Sequence, residues 1–170
     1  LAESWEGSNG AKTWNFKIRQ GVEFHNGKSL TSQDVVDSLN HHLGEDSKSA
    51  AKGQLGAVTS VKADGKYGVV VELSGGDADF PFILTDYHLL ICPSNGDGTI
   101  DWQSGVGTGG FSLVEHEPGV RTLVKANPNY WKPNRRFFDE VETLQIADSA
   151  ARENALRTGE LDAMNNVSAK

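Results

Sequence analysis

Apolar positions along the chain change period several times, and each change marks an element. Trp14, Phe16 and Ile18 alternate with Asn15, Lys17 and Arg19, the period-2 signature of a half-buried strand. Asn26-Gly27 follows as a turn dipeptide that tolerates positive φ. Thr31 stands three residues ahead of Asp34, a capping-box spacing with a shorter acidic arm than the usual Glu. From Ser32 to Leu43, Val35, Val36, Leu39 and Leu43 fall at helical spacing, and Gly44 supplies a stop. The polar stretch 45–53 reads as a loop with a short helical turn. Val58–Ala63 and Tyr67–Leu73 read as strands joined by the hairpin signal Asp64-Gly65-Lys66. A short helix is expected over Asp79–Leu84, with Pro81 in its first turn. Leu89-Leu90-Ile91-Cys92 reads as a buried strand ended by Pro93.

Between Ser94 and Gly110 glycine dominates and no periodicity survives, which marks a boundary and divides the chain into 1–106 and 107–170. Beyond it, Phe111–Glu115 and Arg121–Lys125 read as antiparallel strands around Pro118-Gly119, and Val141–Ile146 as another. Ser149–Thr158 reads as a helix capped by Ser149 and ended by Gly159. Leu161–Met164 reads as a last short strand. These elements predict an α+β (mixed α/β) fold of antiparallel hairpins with flanking helices. Trp14, Phe16, Ile18, Val35, Leu39, Val69, Val71, Ile91 and Phe111 lie on the apolar phase of their elements and are the expected core.

Charge and length narrow the classes. With 170 residues the chain suits one domain or two small ones. A net charge of −7 argues against nucleic acid and anionic membrane surfaces as partners, since both prefer basic patches. No stretch approaches the roughly 20 apolar residues of a membrane span, so no direct membrane insertion is expected. Cys92 is the single cysteine, which suits a small buried residue better than a nucleophile. Its scarcity leaves the compartment open.

Several patterns that could carry chemistry fall short of it. Asn95-Gly96-Asp97-Gly98-Thr99-Ile100-Asp101 resembles the start of a calcium loop but lacks Gly at loop position 6 and Glu at position 12. His25, His41, His42, His88 and His116 show no helical metal-pair spacing, so no metal or cofactor is expected. The glycines at 105, 107, 109 and 110 lack the lysine of a phosphate loop and precede a strand. Asp86-Tyr87-His88 sets three polar-capable side chains after a short helix, where strand-end crevices favour ligands.

The stretch from Trp14 to Val36, with its Trp-x-Phe, Arg-x-Gly-Val-x-Phe-His-Asn-Gly and Leu-Thr-x-x-Asp-Val elements, closely resembles the signature of the extracytoplasmic solute-binding proteins of ABC importers, family 5, the peptide- and nickel-binding group. Gly107-Thr108-Gly109-Gly110-Phe111 resembles that family's G-T-G-P-Y/F element, with Gly110 in place of Pro. Asn127-Pro128-Asn129-Tyr130-Trp131, Phe138-Asp139-Glu140-Val141 and Ala155–Asp162 resemble its later elements, in family order. The resemblance implies part of lobe I of a two-lobed periplasmic-binding-protein fold. Residues 1–106 would form the smaller subdomain of the N-terminal lobe, and 107–170 part of its main domain. Leu1–Glu6 resembles a phrase from inside the family's mature chains, so an excised fragment is expected, without the second lobe and the C-terminal return.

The resemblance also implies a function: non-catalytic capture of a small-molecule solute (a peptide, sugar, opine or metal chelate) in the periplasm and its delivery to ABC permease transmembrane subunits. In the family the residues before the strand end lie near the interlobe cleft, and the loop matching 45–51 contacts ligand in some members. The expected ligand-binding set is therefore Asp86, Tyr87, His88, Ser47, Ser49 and Thr108. Two alternatives stay open: a hydrolytic enzyme using Asp86 and His88, and a calcium-stabilised structural module using Asp97 and Asp101.

Overall fold

Residues 1–166 are described in the computed structural model. Strands β1 (Ala2–Ser8), β2 (Thr13–Ile18), β3 (Val58–Asp64) and β4 (Gly68–Leu73) form an antiparallel sheet in the order β1-β2-β4-β3. The alternation in β2 does what the pattern predicts. Trp14, Phe16 and Ile18 are buried while Asn15 and Lys17 face solvent. Trp14 pairs with Val71 and Phe16 with Val69, so one face of two central strands becomes continuous apolar surface. Gly7, across from Trp14, gives the indole its space: a Cβ there would lie 3.1 Å from the ring.

Helix α1 (Ser32–Leu43) covers that face, burying Val35, Val36 and Leu39. A 3₁₀ turn at Ala50–Gly53 and the short helix α2 (Phe80–Ile83) close its ends with Ala51 and Phe80. The core of the molecule sits here, in the first half.

The second half is built differently. Strands β5 (Phe111–Glu117), β6 (Arg121–Ala126) and β7 (Glu140–Leu144) make a separate antiparallel sheet, and helix α3 (Ser149–Thr158) follows it. Arg121 spans its three strands, bonding Glu115 at 2.5 Å and Glu142 at 2.9 Å. Leu113, Val114, Leu144 and Leu156 remain exposed, so this sheet has little core of its own.

Several expectations need correction. Leu89–Cys92 forms no strand: Leu89 is buried, Leu90 is exposed and Ile91 is half-buried. Phe111 is also only half-buried, because its sheet lacks a covering layer. Asp148, not Ser149, caps α3, its carboxylate accepting the Ala151 N–H at 2.7 Å. Leu161–Met164 is irregular. Strand β7, expected over Val141–Ile146, begins one residue earlier and stops at Leu144.

Candidate functional site

Asp86 lies two residues beyond Leu84, the C-cap of α2. Its Oδ1 accepts the backbone N–H of His88 at 2.9 Å and meets the His88 Nδ1 at 2.8 Å. Its Oδ2 accepts Gln54 Nε2 at 3.0 Å. The His88 backbone and ring donors, then Gln54, hold the Asp86 carboxyl below the usual range. Tyr87 is 77% exposed and lies against the His88 ring, with centroids 3.9 Å apart.

The loop bearing Ser47 and Ser49 approaches this segment through Gln54. Ser49 Oγ caps the 3₁₀ turn by accepting the Ala51 N–H at 3.1 Å, and it bonds His42 Nδ1 at 2.6 Å. Ser47 Oγ donates to the His41 carbonyl at 3.0 Å. Both hydroxyls thus shape their own loop. Thr108 stands apart: it lines an apolar cavity that none of the other five residues reaches.

Sequence reasoning missed Gln54 and His42 here. His42 could have been found, since it follows Val35 and Leu39 on the buried phase of α1. Burial, and then the nearby His41 and His88, push its pKa below the ordinary 6.5.

A second polar centre lies behind α1. Asp34 is completely buried. Its Oδ1 accepts Lys28 Nζ at 2.6 Å and the Ser94 N–H at 2.8 Å. Its Oδ2 accepts the Thr31 N–H at 2.9 Å and the Thr31 hydroxyl at 2.8 Å. Burial alone would raise the Asp34 pKa, but Lys28 and then the Ser94 and Thr31 donors outweigh it and leave it lowered. Ser38 Oγ accepts the Cys92 N–H at 3.0 Å, and Ser94 Oγ donates to Asp37. The two N–H groups of segment 92–94 are therefore satisfied by side chains of α1, while the Pro93 carbonyl accepts the Asp101 N–H at 2.9 Å.

Two further concavities differ in chemistry. A cavity of about 810 Å³ opens over the apolar face of the first sheet. A smaller polar hollow of about 350 Å³ lies between the second sheet and α3, lined by Arg121, Thr122, Thr143, Gln145 and Arg152 among others.

The loop weighed as a calcium site is internally bonded: Asp97 Oδ1 accepts the Thr99 N–H at 3.0 Å and its hydroxyl at 2.6 Å. Among the described residues no group of three or more His, Cys, Asp or Glu could hold a metal ion. Nor, among them, is any helix long and apolar enough to cross a membrane.

Comparison with known proteins gives a consistent result. The family described as Bacterial extracellular solute-binding proteins, family 5 Middle, matches residues 1–170. The uncharacterized protein YhjP of Bacillus subtilis is 36% identical over 84% of this chain and 23% of its own length. The solved structure of the B. subtilis oligopeptide-binding protein AppA with a nonapeptide superposes with a TM-score of 0.84 at 29% identity, covering 95% of this chain and 34% of that one. AgaA of A. tumefaciens R10, solved with agropinic acid, gives a TM-score of 0.82 at 30% identity, covering 95% of this chain and 33% of that one. The chain thus spans about a third or less of the length of these relatives.

Proposed function

The chain belongs to the bacterial extracellular solute-binding proteins of family 5, and on that premise we propose that it forms one wall of a solute-capture site. The observation that carries the reading is the match to all 170 residues by one family, together with the 0.84 TM-score to a peptide-bound relative. In this reading a protein of the relatives' full length closes a second lobe over the solute. Closure biases an existing open–closed equilibrium, and binding draws on desolvation and a few placed polar groups. The protein binds its solute without transforming it and passes it, outside the cytoplasmic membrane, to an ABC permease. A peptide is the favoured solute class, with smaller polar solutes such as agropinic acid next, by likeness to AppA and AgaA.

On this chain, Asp86, Tyr87 and His88 are the favoured solute contacts. Three features support them: the exposed Tyr87 ring, the Asp86–His88 pair, and the Gln54 bridge to the Ser47–Ser49 loop. Ser47 and Ser49 set the shape of that wall. Thr108 would touch solute only where it enters the apolar cavity. A thermal-shift screen of the full-length protein with a nonapeptide mixture and with agropinic acid tests the assignment. A saturable rise in melting temperature with one of them is expected; no rise with either would remove its basis.

A further inference from the structure

The cavity of about 810 Å³ over the first sheet has the dimensions of a small-molecule site, for which about 300–1,000 Å³ is usual. Its floor is the sheet's apolar face, with Trp14, Phe16, Ile18 and Val71. Its rim carries Trp5, Phe82, Leu90 and Trp102, all strongly exposed. Among residues 1–106, Tyr87 is the one exposed large apolar side chain that lies outside it. Such gathering of exposed apolar side chains around one opening marks an interaction site rather than scattered surface residues.

The lining also states what it would reject. None of the described residues that line it is Asp, Glu, Lys or Arg. A charged group entering it would lose its hydration with no charged side chain of the lining to replace it, which is unfavourable. His25 reaches the wall, but both its ring nitrogens are engaged: Nδ1 accepts the Gly107 N–H at 3.2 Å and Nε2 bonds the Gly109 carbonyl at 3.0 Å. Thr108 brings a hydroxyl to the same end. Aromatic rings stand on both floor and rim, and Trp14 and Phe16 stack with centroids 6.4 Å apart. Offset and edge-on contacts with a further ring are the arrangement such a lining favours.

We propose that this cavity binds an uncharged aromatic group, and that it is a ligand pocket of its own within residues 1–109, separate from the Asp86–His88 wall. The pocket does not depend on the solute-capture reading, because its probe is indole itself.

Titration of the full chain with indole, followed by NMR, should give saturable binding with intermolecular contacts from the indole ring to the Ile18 and Val71 methyl groups. Benzoate, a ring of similar size carrying a charge, should bind at least roughly tenfold more weakly. Phe82→Glu and Leu90→Glu should each weaken indole binding by roughly tenfold or more. At 73% and 65% exposure these two side chains contribute little to the fold. Phe137→Glu, an equally exposed site outside the cavity, should leave binding unchanged. Absence of saturable binding, contacts at other methyl groups, or equal binding of benzoate would overturn the proposal. A dimer that excludes indole and that Leu90→Glu disperses would also overturn it, by giving the opening to a second copy of the chain.

Discussion

His25 and Asn127, from opposite halves of the chain, share one acceptor: the Gly109 carbonyl meets His25 Nε2 at 3.0 Å and Asn127 Nδ2 at 3.0 Å. Because a carbonyl only accepts, His25 Nε2 is the donor of that contact, while Nδ1 accepts the Gly107 N–H at 3.2 Å. Asn127 is itself buried, and its backbone N–H donates to the Gly110 carbonyl at 2.9 Å. Nearby, Arg19 lies over the Trp131 ring, 5.0 Å from its centroid. Three stretches that looked like separate family signatures therefore form one joint between the two sheets.

Replacing His25 by Ala leaves the Gly107 N–H without its imidazole partner and removes one donor from the Gly109 carbonyl. The expected loss is about 1–3 kcal/mol, with faster hydrogen exchange at the Gly107 amide and little change in the first sheet. Exchange-rate mapping by NMR checks it. Unchanged exchange at Gly107 would mean that the joint is held elsewhere.

Asp34→Ala should be among the most damaging substitutions, costing about 3–5 kcal/mol. It leaves the Lys28 ammonium and the Ser94 and Thr31 donors without their common acceptor. Since the folded pKa of Asp34 is depressed below 3.8, its contribution is complete above that value and is lost as pH falls through the folded pKa. Urea unfolding of the wild type and of Asp34→Asn from pH 6 to pH 2 checks this: the stability gap should be largest at pH 6 and should shrink as pH falls.

His42 titrates with a consequence of the same sign, at higher pH. Its folded pKa lies below 6.5, so the folded state binds fewer protons than the unfolded chain as pH falls from 6.5. Stability should be level above that pH, should decline as pH drops below it, and should level off beneath the folded pKa. His42→Gln should flatten this part of the profile, read by chemical denaturation from pH 8 to pH 5.

Phe16 packs in the core between Trp14 and Phe80, with ring centroids 6.4 Å from each. Phe16→Ala should cost about 3–5 kcal/mol, measured as a lower denaturation midpoint at unchanged slope.

Much of the first half was legible from local pattern. The alternation of β2 and the heptad-like spacing of α1 each bury one face, and the period alone shows which. Gly27, Gly65 and Gly119 adopt the positive φ that their turns require. Leu89–Cys92 was illegible for a physical reason. A short apolar run before a proline fits a buried strand as well as an irregular segment, and the deciding partners, Asp34, Asp37 and Ser38, lie far back in sequence on α1. Their polar character inside a helix made sense only once segment 92–94 lay beside them. The Asp86–His88 pair was legible as a polar cluster, whereas its link to Gln54 depends on tertiary packing that no spacing encodes. The apolar cavity was hidden for the same reason, since its floor reads in sequence as ordinary core.

The most direct test of solute capture is native mass spectrometry on the full-length protein, purified without denaturation and incubated with a peptide mixture that includes nonapeptides. The account predicts one bound solute per protein, released on denaturation with its mass unchanged. Solute recovered as cleaved or otherwise altered product, or a protein that stays empty throughout the mixture, would contradict it.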